Sequence, residues 1–477
     1  MIKYIGSKRL LVPLITEITR GLQKKGSVVD LFSGTARVGH ALKATGYQVF
    51  SNDLNSYAAL LARCYVQANR EQVAEQAQKL INEMNLLPPE PGYFTKTFCE
   101  EARYFMPKNG ARVDSIRNWI AHRHFEPELE AVLLTSLMEA ADRVDSTTGV
   151  QMAYLKKWAP RASKDLELRL PALLAKAKSG NGLSHQFEAQ EAARRISGDI
   201  GYLDPPYNQH KYVGNYHIWE TLVRWDAPEC YGIARKRIDC RERKSAFNSR
   251  PRIHSAMAGI IENLDVRHLV VSFSNEGFIK QEEMIALLAR RGEVFVIERD
   301  FKRYVGAKIG IHNPSGKCVG KVSHLSNKEY LFVVPEHPDL LAQWSGPLRV
   351  AGTSTTVPNR TITPSLDKQP ARRPTLALRN PLIKVLQAKG ALSSQTARAY
   401  VGGTPTELRT LFRALLSEGL IHKTGQRRGT KYHWIEGKTD APTGVGGKRK
   451  QIPFPPQTSL AKAIDAAHRK SQLSLEF

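Results

Sequence analysis

Cysteine is scarce in this chain of 477 residues: Cys64, Cys99, Cys230, Cys240 and Cys318 are the only five, and no two form a Cys-x-x-Cys pair. That argues against a disulfide framework and against a zinc site. Acid is short as well, with 45 Asp and Glu against 70 Lys and Arg, a net charge of +25 and a pI near 9.8. Such an imbalance disfavours acidic partners' opposites and favours a polyanion. The start Met1-Ile2-Lys3-Tyr4 opens no signal peptide, and no apolar run is long enough to span a bilayer, so a soluble, cytoplasmic protein without membrane contact is expected. No internal repeat of a solenoid is present. The glycine turn near the N-terminus lacks both Gly-x-Gly-x-x-Gly and a Gly-Lys-Ser/Thr ending, which disfavours a pyrophosphate ligand.

What is present begins with Asp204-Pro205-Pro206-Tyr207, which follows the strand-like Asp199 to Leu203. A carboxylate and a carbonyl preceding a proline can both accept from an exocyclic NH2, and a tyrosine can stack on the heterocycle that carries it. A loop after a buried strand is the plain alternative, since Pro-Pro ends strands routinely. Near the start, Ser27 to Phe32 reads as a short buried strand and Ser33-Gly34-Thr35-Ala36-Arg37-Val38-Gly39 as a turn into a helix, where glycine lets backbone approach a ligand. A second strand, Tyr47 to Ser51, ends in Asn52-Asp53. In doubly wound sheets an acid at that place binds ribose hydroxyls, although Asp53 could instead cap the helix that follows.

Three separated segments together resemble one family, the Dam-like class of S-adenosylmethionine-dependent, adenine-N6-specific DNA methyltransferases. Lys3-Tyr4-Ile5-Gly6-Ser7-Lys8-Arg9 is similar to its N-terminal cofactor segment, Asp30-Leu31-Phe32-Ser33-Gly34-Thr35 to its Asp-x-Phe-x-Gly-Ser/Thr loop, and Asp204 to Tyr207 to its catalytic tetrad. The resemblance implies a Rossmann-like α/β sheet. It implies catalytic roles for Asp204, Pro205, Pro206 and Tyr207, and a cofactor site of Tyr4, Lys8, Asp30, Phe32, Gly34, Thr35, Asp53 and Asp204. From the residues alone, Lys8 and Arg9 could equally be solvated charges and Phe32 core. Attack by N6 on a sulfonium methyl needs positioning rather than a covalent intermediate. Methylation at cytosine C5 would need an activated thiol, and no cysteine here follows a proline. An aspartate heading the tetrad favours adenine over cytosine N4, on the strength of the family.

About 150 residues separate the second strand from the tetrad, far more than a crossover needs. A mostly helical inserted subdomain over residues 56–182 is expected there, and the resemblance gives it the reading of DNA sequence. Within it Arg143, Lys156, Lys157 and Arg161 lie among short polar side chains and Trp158, a mixture suited to phosphate and base contacts and equally to a solvated loop. After the tetrad, residues 208–217 read as a loop able to close over a base. His210 and His217 lack a carboxylate orienter in sequence and are discounted as general bases. Further strands are expected at His268 to Asn275, Glu293 to Ile297 and Glu329 to Val334, and Arg303-Tyr304 with residues 308–324 as a long loop over nucleic acid or a plain hairpin.

The methyltransferase domain is placed at 1–345, with a linker rich in threonine and proline at 346–375. A winged helix is expected at 376–437, with helices at Pro381 to Ala388, Ser393 to Tyr400 and after the capping box Thr404-Pro405-Thr406-Glu407, then a basic hairpin. Arg409, Arg413, Arg427 and Arg428 suggest that it contacts DNA, although the fold also serves protein contacts. Residues 438–477, with Gly447-Lys448-Arg449-Lys450, read as a basic flexible tail. The expected activity is site-specific transfer of a methyl group from S-adenosylmethionine to adenine N6 of a flipped-out base in double-stranded DNA, by a monomer, in a restriction-modification, phage-defence or epigenetic setting with a possible companion restriction endonuclease. The alternatives are a methyltransferase of RNA or a protein amide, and a catalytically inactive DNA-binding regulator.

Overall fold

The computed structural model describes residues 1–209, 211–302, 311–312, 318–320, 326–341, 349–350, 374–402, 405–424 and 431–435. They fall into two compact units, Met1–Thr361 and Ile362–Phe477.

The first unit is built on an eight-stranded sheet: β1 (Ser27–Asp30), β2 (Gln48–Asn52), β3 (Leu183–His185), β4 (Ile200–Leu203), β5 (His268–Ser274), β6 (Phe295–Lys302), β7 (Ser326–Val334) and β8 (Arg349–Val350). The spatial order is β8-β6-β7-β5-β4-β1-β2-β3. Strands β3, β2, β1, β4 and β5 run parallel, and β7, β6 and β8 add antiparallel pairs at one side. The central strands Ser-Val-Val-Asp and Ile-Gly-Tyr-Leu are buried on both faces, which is why they read as apolar runs without alternation. The chain leaves β1 toward β2 on one side and later returns to pair β4 on the other. Ligands bind at such a switch point, beyond the carboxyl ends of the strands. Asp30 ends β1 and Asp204 follows β4, so both open onto that crevice.

Helices cover both faces. Helix Val12–Leu22 buries Ile15, Ile18, Thr19 and Leu22, one stripe at helical spacing, and carries proline in its first turn. Between β2 and β3 lie helices Ser56–Ala62, Arg70–Leu86, Pro107–Ala121 and Pro127–Arg143, in agreement with the expected helical character up to residue 143. From 144 to 182 only one short 3-10 turn, Pro160–Ser163, and an isolated bridge interrupt irregular chain. The inserted helices share one hydrophobic cluster with the sheet: Phe94, Leu133 and Leu137 belong with Val28, Val49 and Tyr202.

Three expectations are corrected. Residues 208–217 are not all loop: helices Tyr212–Asn215 and His217–Arg224 form there, the second burying His217, Ile218, Trp219 and Leu222. Burial of that stripe outweighs the glycine and asparagine that suggested a loop. Strand β8 pairs with β6 inside the stretch assigned to a linker. The helix expected from Pro381 starts at Pro374 and carries Pro381 in its interior.

In the second unit, helices Pro374–Lys389, Ser394–Val401 and Pro405–Ser417 accompany a three-stranded antiparallel sheet in the order Ala391–Leu392, Lys431–Trp434, Ile421–Thr424. Leu382, Leu386, Leu408, Leu411, Phe412 and Leu415 make its core, and Phe412 stacks on Tyr432 at 4.0 Å between ring centres. Ser393 caps the second helix by accepting from the Thr396 N–H at 3.0 Å. His210, Arg303, Tyr304, Arg427, Arg428 and the proposed basic tail lie outside the described residues, as does most of 308–324.

Candidate active site

The turn after β1 is held open by backbone geometry. Gly34 and Ala36 both have left-handed φ, +51° and +56°. Such φ values are cheap for glycine and unusual for alanine. The Ser33 N–H donates to the Asn52 carbonyl at 2.9 Å, and the Gly34 N–H to Asp53 Oδ2 at 3.0 Å. Asp53 Oδ1 accepts from Asn55 through its backbone N–H at 2.9 Å and its side chain at 3.1 Å. Burial raises the Asp53 pKa, and these donors partly oppose it. Asn55, not Asp53, is the N-cap residue of helix Ser56–Ala62. A Cβ on Gly34 would lie 3.4 Å from the Tyr4 ring, so the loop passes close over that aromatic face.

Asp30 is different. It is buried, neither carboxylate oxygen has a hydrogen-bond partner of good geometry among the described residues, and burial, then the charges of Asp204 and Asp53, push its pKa up to about 8 against the weak opposing effect of the nearby Gly39 N–H. A buried polar group left in this state is costly and suits a site completed by a ligand.

At the other side of the crevice, Lys8 Nζ lies 3.1 Å from Asp204 Oδ1 and 3.3 Å from Glu329 Oε2. Lys8 is 6% exposed. Burial would lower its pKa, but the two carboxylates outweigh this and hold it above the ordinary lysine range. Asp204 is pushed up to about 6, by burial first, with Lys8 opposing and Glu329 reinforcing the rise. Glu329 comes from β7, where it pairs with Ser274 of β5.

Tyr4 sits in an aromatic stack, with ring centres 4.5 Å from Tyr216 and 5.2 Å from Tyr212, and its hydroxyl 3.3 Å from that of Tyr57. Phe32 meets Phe247 edge-on at 5.1 Å. Tyr4, Lys8, Asp30, Phe32, Gly34, Thr35, Asp53 and Asp204, all assigned from sequence, line one cavity of about 270 Å³, with Pro206 and Tyr212. Tyr207 lines a neighbouring cavity of about 200 Å³ with Asn208, Asn215, Val150 and Met152, and Tyr212 is common to the two. Tyr207 is fixed edge-on to Phe273 at 5.8 Å, while its carbonyl accepts from the Phe278 N–H at 2.9 Å. Pro205, within the tetrad, is buried.

His217 is buried against the Gln151 carbonyl at 2.9 Å, and burial pulls its pKa down to about 3, so near neutrality it is the uncharged imidazole and not an acid. Of the basic residues singled out, Lys156 and Lys157 are exposed. Arg143 donates to the Glu167 carbonyl at 2.6 Å, and Arg161 to Asp145 at 2.8 Å and the Thr147 carbonyl at 2.6 Å, so both are also braces within their own segment. Arg409 and Arg413 are exposed on helix Pro405–Ser417.

Five contributors escaped the sequence reading. Phe187 lines the larger cavity just beyond β3, its N–H donating to Asn52 Oδ1 at 2.9 Å. Phe247, Lys244 and Asn248 come from a segment that carried no motif. The signal for Glu329 was its isolation: one acid in the otherwise apolar run Tyr330 to Val334 and its flank.

The family model of the D12 class N6 adenine-specific DNA methyltransferases matches residues 4–287. The type II methyltransferase M.NlaIII of Neisseria lactamica is 30% identical over 339 residues, 69% of this chain and 99% of that protein. M.FokI of Planomicrobium okeanokoites is 33% identical over 313 residues, 61% of this chain and 47% of that protein. M.CviAII of Paramecium bursaria Chlorella virus 1 is 28% identical over 312 residues, 64% of this chain and 92% of that protein. The matched span begins at Tyr4 in the aromatic stack and runs through both cavities and the tetrad, and the chain belongs to the D12 class of adenine-N6-specific DNA methyltransferases.

Proposed function

We propose that the larger cavity holds S-adenosylmethionine and the smaller one the extruded adenine, with Asp204 to Tyr207 at their junction. The observation that carries this reading is that Tyr212 borders both cavities while Asp204 and Pro206 face one and Tyr207 the other. The residues suit the cofactor. Asp53, fixed by three donors, offers its carboxylate to ribose hydroxyls. Phe32 and Phe187 supply apolar walls, Gly34 and Thr35 a close-approaching backbone, and Asp30 an unpartnered carboxyl. Tyr4 and Lys8 lie toward the methionine end. When bound, S-adenosylmethionine supplies the electrophilic methyl group.

The chain's own residues do the rest. Tyr207 stacks on the base, which repays part of the few kcal/mol that extrusion costs. Asp204 and the Pro205 carbonyl accept the two N6 hydrogens, turning the nitrogen lone pair toward the methyl carbon. As the N–C bond formed and the methyl–sulfur bond broke, its electron pair going to the departing sulfur, the surplus N6 proton would be held at Asp204 Oδ atoms and pass to solvent; the neutral, buried His217 takes no part. Lys8 keeps Asp204 ionised and therefore able to accept. Catalysis rests on alignment and preorganised charge.

Lys156 and Lys157 are proposed to meet phosphates, with Arg143 and Arg161 ordering that surface as well as adding charge. The second unit, three helices and a small antiparallel sheet, is read as a winged helix that adds DNA affinity through Arg409 and Arg413. The setting proposed is a modification enzyme of a restriction-modification pair, in keeping with the printed names of the type II methyltransferases M.NlaIII and M.FokI, and the enzyme is proposed to act as a monomer in the cytoplasm. The test is transfer of labelled methyl from S-adenosylmethionine to unmethylated duplex DNA, with nucleoside mass analysis. N6-methyladenine is expected. Label in RNA or protein instead, or cofactor binding without product, would overturn the reading.

A further inference from the structure

Between the tetrad and β5 the chain builds a small hairpin, strands Cys230–Tyr231 and Lys236–Arg237, that no motif announces. Its tip carries Ile233, 82% exposed, between two left-handed residues, Gly232 at +67° and Arg235 at +48°. A single exposed aliphatic side chain is ordinary on a protein surface, so what sets Ile233 apart is the braced finger that carries it and the charges around it.

The hairpin is braced far more firmly than two pairs of residues require. Arg237 is almost fully buried and grips Asp226 with two hydrogen bonds of 2.6 and 2.7 Å, and Asp239 with two of 3.1 and 3.3 Å. Arg241 lies over the Tyr231 ring at 4.0 Å, Arg235 pairs with Glu101 at 2.5 Å, and the Ala234 carbonyl accepts from the Tyr104 hydroxyl at 3.1 Å. Bidentate charge pairs and ring contacts of this kind fix a finger in one orientation. The finger also stands beside the smaller cavity: Lys236 Nζ touches Met152 Sδ at 3.1 Å, and Met152 lines that cavity together with Tyr207. Residues 235–252 hold eight basic side chains against two acidic ones, and Arg241, Lys244, Arg250 and Arg252 among them are exposed.

We propose that the hairpin Cys230–Arg237 is a wedge for duplex DNA, and that Ile233 at its tip enters the base stack at the place the target adenine vacates. A rigid finger, an apolar tip, a basic surround and a position beside the base-receiving cavity are together what an inserted wedge needs: aliphatic side chains unstack a base step while cations hold the flanking phosphates. The proposal rests on the reading that adenine is extruded toward Tyr207. Extrusion leaves a gap in the stack, and filling it keeps the base from returning.

The test uses the full-length protein and a duplex bearing the mapped methylation site, with 2-aminopurine in place of the target adenine. Wild type is compared with Ile233→Gly and Ile233→Leu. Fluorescence should rise on binding to wild type and to the leucine variant and should largely fail to rise with the glycine variant. On the paired adenine substrate, Ile233→Gly should lose about tenfold to a hundredfold in kcat/KM. It should recover most of that loss when the target adenine is mispaired, since extrusion is then easy. Unchanged binding of S-adenosylmethionine by calorimetry checks that the variant is folded. An Ile233→Gly enzyme that keeps the fluorescence rise and its rate overturns the proposal, as does an equal loss on paired and mispaired targets, which marks general binding. No rise with wild type itself would sink base extrusion along with the wedge, whereas a rise retained in both variants sinks the wedge alone.

Discussion

Asp53 and Asp204 end neighbouring parts of one crevice and are held in opposite ways. Asp53 is fixed by donors a few residues away in space and at most nineteen in sequence, from Gly34 and Asn55. Asp204 is held by Lys8, near the start of the chain, which is itself shared with Glu329 from an antiparallel strand 321 residues from it. Backbone donors add no net charge and move little. A lysine between two carboxylates sets a titration as well as a position, so the reacting end of the crevice is tunable where the ribose end is rigid.

Breaking the reacting end should have the largest effect. Asp204→Ala should reduce methyl transfer about a hundredfold to a thousandfold or more while S-adenosylmethionine still binds, measured by label transfer and calorimetry. Retained activity would remove Asp204 from the mechanism. At the ribose end, Asp53→Ala should instead raise KM for the cofactor about tenfold to a hundredfold, the range of one or two charged hydrogen bonds, and leave kcat nearly unchanged. A fall in kcat alone would contradict the division between the two acids.

The pH profile sharpens the contrast. Asp204 must be ionised to accept, and its pKa is about 6, so kcat/KM should fall as pH drops through that value. Lys8 lowers this pKa, so Lys8→Gln should move the acid limb to higher pH, by about one to three units. Glu329 raises it, so Glu329→Gln should move the limb the other way, by about one unit or less. Parallel loss of activity at every pH in both variants would mean that the triad only packs. The smallest effect is expected far from the crevice. Lys156→Ala and Lys157→Ala should weaken DNA binding modestly and each lower the slope of log affinity against log salt by about one, with the cofactor constants untouched.

How far the site could be read from the chain varied with the range of the interactions. Asp30, Phe32, Gly34 and Asp53 stand in a strand, turn and strand that are short local patterns, and the roles given to them and to the tetrad came from the family that these segments resemble. Phe187, Phe247 and Glu329 carry no local signature: the two phenylalanines reach the cavity, and Glu329 reaches Lys8, only when distant segments come together. The stretch 208–217 misled because its glycine and asparagine suggest loop, while the apolar stripe of the next helix made a fold that buries it. Arg143 and Arg161 looked like free cations; their partners, a backbone carbonyl and Asp145, become visible only in three dimensions.

While the kind of chemistry was implied by the family that the motifs resemble, the sequence by itself determined the order of the motifs, the parallel strands at the centre of the sheet and the excess of positive charge that suits a polyanionic partner. These follow from local propensity, burial periodicity and composition, which act within a few residues or sum over all of them. The tertiary structure alone decided that Lys8 stands between Asp204 and Glu329, that two cavities share Tyr212, and that an aliphatic tip projects beside one of them. Charge coupling and shape depend on distances of a few ångströms between groups hundreds of residues apart, and only the packed sheet fixes those.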